Sequence, residues 1–237
     1  MTTYKSPQKK IGDIVAEDYR TAGIFEKYGI DFCCGGQELL ITACLAKGLD
    51  FEAIQLEIEA VKSVPIEQNQ NYTAWELSFL ADYIVNTHHA YLNKEMKPIA
   101  SYAHKIADVH GSNHPEVIKI ATIFDKIVSD MAGHLREEEE VLFPAIKRVE
   151  IVRKKGSTLL SEDCEKIKVS LEKLHREHED VGDAIHEIRN LANDYAIPGD
   201  ACNTFAVTYE KLKEFEDDLH HHVHLENNIL FLKAAGF

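Results

Sequence analysis

Basic residues, proline, glycine and long apolar runs are all scarce in this chain. It carries 26 Lys and Arg against 40 Asp and Glu, a net charge of −14 with His neutral. An acidic surface repels phosphate backbones, so nucleic acid is not expected as a partner. No uninterrupted apolar run approaches the length of a membrane span, so no membrane partner is expected either. Six prolines and twelve glycines in 237 residues, with no low-complexity tract, point to an ordered and mostly helical protein. The five cysteines are an odd number and two of them are adjacent, which does not make a secreted disulfide framework. Met1 to Lys10 lack the apolar run of a signal peptide. These absences together predict a reduced, cytoplasmic protein.

What the chain has in excess is histidine, thirteen in all, on an amphipathic helical pattern. Residues 1–62 read as a small helical module. Gly48 can cap one of its helices and Asp50 can start the next. Gly35 and Gly36 permit positive φ, so a tight turn is expected there. Residues 63–72 are polar, contain Pro65 and have no helical period, which marks a linker. From residue 73 to 237 four long stripes follow. The first is Leu77, Leu80, Ile84, His88 and Tyr91. The second runs from Val117 through Met131, His134 and Glu138 to Leu142, with Pro144 expected to kink it. The third passes through Leu174, His178 and Ile185, and the fourth through Leu219, His222, Glu226 and Ile229. Four such helices predict an all-α fold with a four-helix bundle after the N-terminal module.

Each stripe carries one histidine in an otherwise apolar face, and two stripes add a glutamate four residues later. Residues i and i+4 share a helix face, so His134 with Glu138 and His222 with Glu226 project together. A buried carboxylate without a counter-charge costs several kcal/mol, and no Lys or Arg on these stripes supplies one. A metal would. The spacings of 46 residues from His88 to His134 and 44 from His178 to His222 make the bundle two similar helix pairs (134 − 88 and 222 − 178). A duplicated set, His88, His134, Glu138, His178, His222 and Glu226, suits two metals bridged by the glutamates. Imidazole and carboxylate without thiolate suit iron, with manganese and zinc as alternatives. His220, His221 and His224 are expected to face solvent, as is the rest of the run Glu137–Glu140. His175, one turn before His178, is the candidate outer partner or alternative ligand. Cys33 and Cys34 beside two glycines are candidate functional thiols.

Tyr28-Gly29-Ile30-Asp31-Phe32-Cys33-Cys34-Gly35-Gly36 resembles the N-terminal signature of the iron–sulfur cluster repair di-iron proteins. His134-Leu135-Arg136-Glu137-Glu138 and His222-Val223-His224-Leu225-Glu226 resemble that family's two hemerythrin-like motifs, and His88 and Glu177-His178-Glu179 its other ligand segments. The resemblance covers nearly the whole chain. It implies two non-haem irons, joined by the glutamates and an oxo group, in a stress protein. Such a protein restores iron–sulfur clusters damaged by nitric oxide or peroxide, and its partners are the damaged proteins. Iron supply is the first implied mechanism; reduction of nitric oxide or oxygen at the centre, or sensing, is the alternative. The chain departs from oxygen-carrying hemerythrins, which place His-x-x-x-His on the third helix; here His175 and His178 are three apart. The oligomeric state, a homodimer included, is left open by the sequence.

Overall fold

The computed structural model describes residues 9–64, 71–156 and 161–236. Of the expected linker, residues 65–70 lie outside the described residues. Helices dominate. Among the described residues the only extended pairing is one isolated bridge between Lys10 and Leu39, and no helix is long and apolar enough to cross a membrane. The chain divides into two units, Met1–Leu80 with His221–Phe237, and Ala81–His220.

The first unit opens with α1 (Ile11–Glu17), α2 (Ala22–Lys27), α3 (Leu40–Lys47) and α4 (Phe51–Lys62). Ile11, Val15, Phe25 and Ile54 are buried, at about 1.5–3 kcal/mol of hydrophobic stabilisation each. Gly48 ends α3 with φ 65°, a conformation that a Cβ disfavours. The Asp50 side chain then accepts from the Glu52 and Ala53 amides and starts α4, a cap worth about 1 kcal/mol. Gly35 and Gly36 do not take positive φ. They begin a 3-10 turn, Gly35–Gln37, and Gly36 is needed for a different reason. A Cβ on Gly36 would lie 2.4 Å from Asn228 Oδ1, and one on Gly12 would lie 2.2 Å from it. Asn228 Nδ2 also donates to the carbonyls of Phe32 (3.1 Å) and Cys33 (3.2 Å). The C-terminal segment is thereby part of this unit.

The second unit holds the long helices: α5 (Leu77–Ile84, which enters it from the first), α6 (Ala90–His110), α7 (Glu116–Glu137), α8 (Phe143–Lys154), α9 (Ser161–Leu191) and α10 (Asn203–Leu225), which runs on into the first. A short α11 (Phe231–Ala235) closes the chain. The bundle core is the apolar stripes, with Phe124 and Phe215 meeting edge to face at 5.1 Å. Among the described residues, three helices are interrupted by a single π-helical turn: Val85–His89, Glu138–Leu142 and Glu226–Leu230. Each carries an extra residue per turn, and such turns concentrate at functional sites. Pro144 falls within the first two positions of α8, directly after the second π turn; the helix runs on through it, so its missing N–H leaves a carbonyl one turn earlier without a helical partner.

Candidate metal centre

Within the second unit, His134, Glu138 and His178 each bring one donor atom to within 4.8 Å of the others. All three are buried, Glu138 completely. His134 and Glu138 share a face of the helix one turn apart, Nε2 to Oε1 at 3.4 Å. His178 reaches across from α9 and sets its Nε2 3.0 Å from that of His134. Two nitrogens bound at right angles to one ion, each at about 2.1 Å, would stand about 3.0 Å apart. A buried carboxylate among imidazole nitrogens is stabilised by a cation that takes both kinds of donor. The donor set therefore fits a transition metal.

The further histidine gathered in this unit is not the one that the helical stripe points to. His88 is not among the gathered side chains. Its Nδ1 donates to Asp218 at 2.9 Å and its ring meets Tyr83 edge-on. His89 takes the inward place, with Nε2 3.3 Å from Glu138 Oε2. The π turn is the cause. It inserts one residue after Ile84, so His88 and His89 are both buried and the stripe beyond them runs through Leu92, Met96 and Ile99, while Tyr91 leaves it.

The outer partners are carboxylates that helical periodicity does not single out. His89 Nδ1 donates to Glu139 at 2.8 Å, and His134 Nδ1 donates to Glu177 at 2.9 Å. In both rings this fixes the tautomer and leaves Nε2 with its lone pair directed inward, the arrangement that raises the basicity of metal-binding histidines. The hydrogen bond from His134 holds the Glu177 carboxyl below its usual range. Glu139 is thus not simply a solvated neighbour of Glu138. His175, the expected outer partner, stays partly exposed near Glu179. Beside His134 and Glu177 lies a cleft of about 490 Å³ that also touches Met131, Asp180 and Val181.

In the first unit His222 and Glu226 are completely buried, Nε2 to Oε1 at 2.9 Å. This repeats the one-turn geometry of His134 and Glu138. His224, expected in solvent, is also fully buried, between Tyr19 and Phe32, and burial pushes its pKa down to about 3.

The cysteine pair occupies the turn after α2. Asp31 Oδ1 accepts from the amides of Cys33 (2.9 Å) and Cys34 (3.0 Å), and Oδ2 accepts from Gly35 at 2.8 Å. Cys33 Sγ donates to the same carboxylate at 3.2 Å and lies 3.9 Å from Cys34 Sγ, so no disulfide joins the two. Cys33 is buried and Cys34 is half-buried, so the glycines do not open both sulfurs to solvent. The hydrogen bond with Cys34, burial and the Asp31 charge all push the Cys33 thiol up, which keeps it protonated.

Residues 80–234 match the hemerythrin HHE cation-binding domain, and residues 7–62 match ScdA_N, a domain of unknown function (DUF542). The iron–sulfur cluster repair protein ScdA of Staphylococcus epidermidis is 33% identical over 95% of this chain and 97% of its own. A probable iron–sulfur cluster repair protein of Haemophilus influenzae is 29% identical over 97% of both chains. The iron–sulfur cluster repair protein YtfE of Citrobacter koseri is 30% identical over 95% of this chain and 96% of its own. A cation-binding bundle and an N-terminal module of this kind, matched from end to end, place the chain in the family of ScdA- and YtfE-type iron–sulfur cluster repair proteins.

Proposed function

We propose that this chain repairs iron–sulfur clusters damaged by nitric oxide or peroxide, in the cytoplasm, by supplying iron from a two-iron centre. The observation that carries the reading is the likeness to repair proteins over both the thiol module and the bundle, 95% of the chain. The ligand set is His89, His134, Glu138, His178, His222 and Glu226, with His89 in the place first given to His88. The duplicated His-x-x-x-Glu turns, His134 with Glu138 and His222 with Glu226, support two oxo-bridged irons, which these residues would help to hold. Bound there, the irons would supply both exchangeable cargo and redox chemistry. Glu139 and Glu177 hold the imidazoles ready for the metals through Nδ1. Asp31, Cys33 and Cys34 bring three donor atoms within 4.8 Å of one another, which supports a role for the pair in receiving or passing iron.

A second reading is reduction of nitric oxide or oxygen at the centre. The cleft beside His134 favours it, because it would admit a small molecule. Turnover with a chemical reductant separates the two readings.

The test of the main reading is the double variant Cys33→Ala with Cys34→Ala, assayed for recovery of a nitric-oxide-damaged iron–sulfur enzyme beside iron content. The variant is expected to keep its iron and its visible spectrum and to lose most repair activity. Full repair by the double variant would remove the thiol role. Absence of repair by the unaltered, iron-loaded chain would overturn the function itself.

A further inference from the structure

A second cluster of donors lies in the same bundle, away from the residues assigned above. Glu216 on α10 is completely buried, one turn before His220 on the same helix. His186 faces them from α9, half-buried, its ring 5.6 Å from that of His220. One donor atom from each of His186, Glu216 and His220 lies within 4.8 Å of the other two. His186 is eight residues beyond His178 on α9, about 12 Å along the helix.

The two oxygens of Glu216 are treated differently. Oε2 accepts from Arg189 Nε at 3.0 Å and from the Tyr195 hydroxyl at 2.8 Å. Oε1 receives no well-directed hydrogen bond, although Arg189 Nη2 stands 2.9 Å away, and it lies 3.8 Å from His220 Nε2. One oxygen is thus anchored from behind, and the other lies between the Arg189 guanidinium and the His220 imidazole. Metal-binding carboxylates are characteristically held this way by outer hydrogen bonds.

The backbone is distorted to supply that anchor. Asn193, Asp194 and Tyr195 take left-handed φ values of 50°, 54° and 59° in succession. Each costs a non-glycine residue about 1–2 kcal/mol. Strain of this kind persists where its surroundings over-determine it and clusters at functional sites. Here it brings the phenol onto Glu216. Burial pushes the Glu216 carboxyl above its usual range in spite of Arg189 and Tyr195, so the environment accommodates further positive charge.

We propose that His186, Glu216 and His220 form a third metal site that takes a divalent first-row cation such as Zn²⁺ or Fe²⁺. Two imidazoles and one carboxylate leave open coordination positions, and that set suits both ions. The half-exposed His186 gives solvent access, so the ion exchanges more readily than one held by completely buried ligands. The site goes beyond the two-iron reading and does not depend on it.

Zn²⁺ is the probe. The full chain with its resident metals is dialysed against buffered Zn²⁺, and zinc and iron are counted on the same samples. One zinc beyond the resident metals is expected, with no loss of iron. His186→Ala and Glu216→Gln should each weaken that zinc by about tenfold or more, and Tyr195→Phe by about tenfold, as removal of an outer partner does. His104→Ala, at an exposed histidine paired with Asp125, should leave it unchanged. Circular dichroism checks the fold; should Glu216→Gln fail to fold, His186→Ala at a half-exposed position decides alone. Absence of the extra zinc, unweakened zinc in His186→Ala, or zinc taken up only as iron leaves would each overturn the site.

Discussion

His89 Nε2 stands 3.3 Å from Glu138 Oε2, although the helical stripe of the sequence turns the preceding residue inward. The two adjacent histidines should therefore behave differently. His89→Ala is expected to lose most of the bound metal. His88→Ala should keep most of it, because the His88 ring donates to Asp218. Metal per chain, measured by elemental analysis after identical purification, decides. Greater loss in His88→Ala would return that residue to the ligand set.

The glutamates of the run 137–140 should fall into three grades. Glu138→Ala is expected to lose metal as severely as Glu226→Ala, since each carboxylate is completely buried one turn from a histidine. Glu139→Ala should weaken binding by roughly 10–100-fold, the usual effect of removing an outer partner. Its target is the His89 ring, which would lose its hydrogen bond at Nδ1. Glu137→Ala and Glu140→Ala should be near neutral. Competition with a chelator of known affinity ranks the five, and equal affinities would refute the assignment.

The third expectation concerns acid stability of the first unit. Burial pushes the Asp18 carboxyl up, but hydrogen bonds from the Arg20 side chain and amide outweigh this and hold it below the ordinary 3.8. The unfolded chain thus binds this proton more readily than the folded one. The stabilisation is complete above about pH 4 and is lost as pH falls through the lower folded value. Asp18→Asn should cost about 1.5–3 kcal/mol at pH 7, the range for hydrogen bonds to a charged group. The gap from the parent chain should close below pH 4. Trp75, the single tryptophan, lies in this unit and reports its unfolding in urea. A gap that is constant with pH would show that the Asp18 charge plays no part.

The bundle and the grouping of His134, Glu138 and His178 were legible in the sequence because α-helical periodicity puts i and i+4 on one face. The same rule points to His88, whereas the ring gathered with Glu138 is that of His89. The rule assumes 3.6 residues per turn, and the π turn at Val85–His89 breaks that count. Only the histidine doublet itself hinted that either ring could serve. Glu139 and Glu177 were not legible as partners, because a carboxylate on a solvated face looks the same in sequence whether it meets water or an imidazole. Glu216 with Arg189 was missed because Arg189 is 27 residues away and on another helix. The tight approach at Gly36 was invisible for a like reason, since Asn228 lies far along the chain from it.

The amide of Asn228 has two hydrogens and faces three acceptors, the carbonyls of Phe32 and Cys33 and the ring of His224. That grip bears on how the chain is made. Asn228 follows Cys33 by 195 residues, so the cysteine turn leaves the ribosome long before its last packing partner exists. At ordinary rates of synthesis that interval lasts about 10–40 seconds. Throughout it, Gly12 and Gly36 lack the side chain that fills the space above them. The first unit can reach its final packing only after residue 228 has been made. A chain that stops short of residue 228 therefore keeps the hydrogen bonds of Asp31 within the cysteine turn but lacks those from Asn228 that tie the turn to the C-terminal segment.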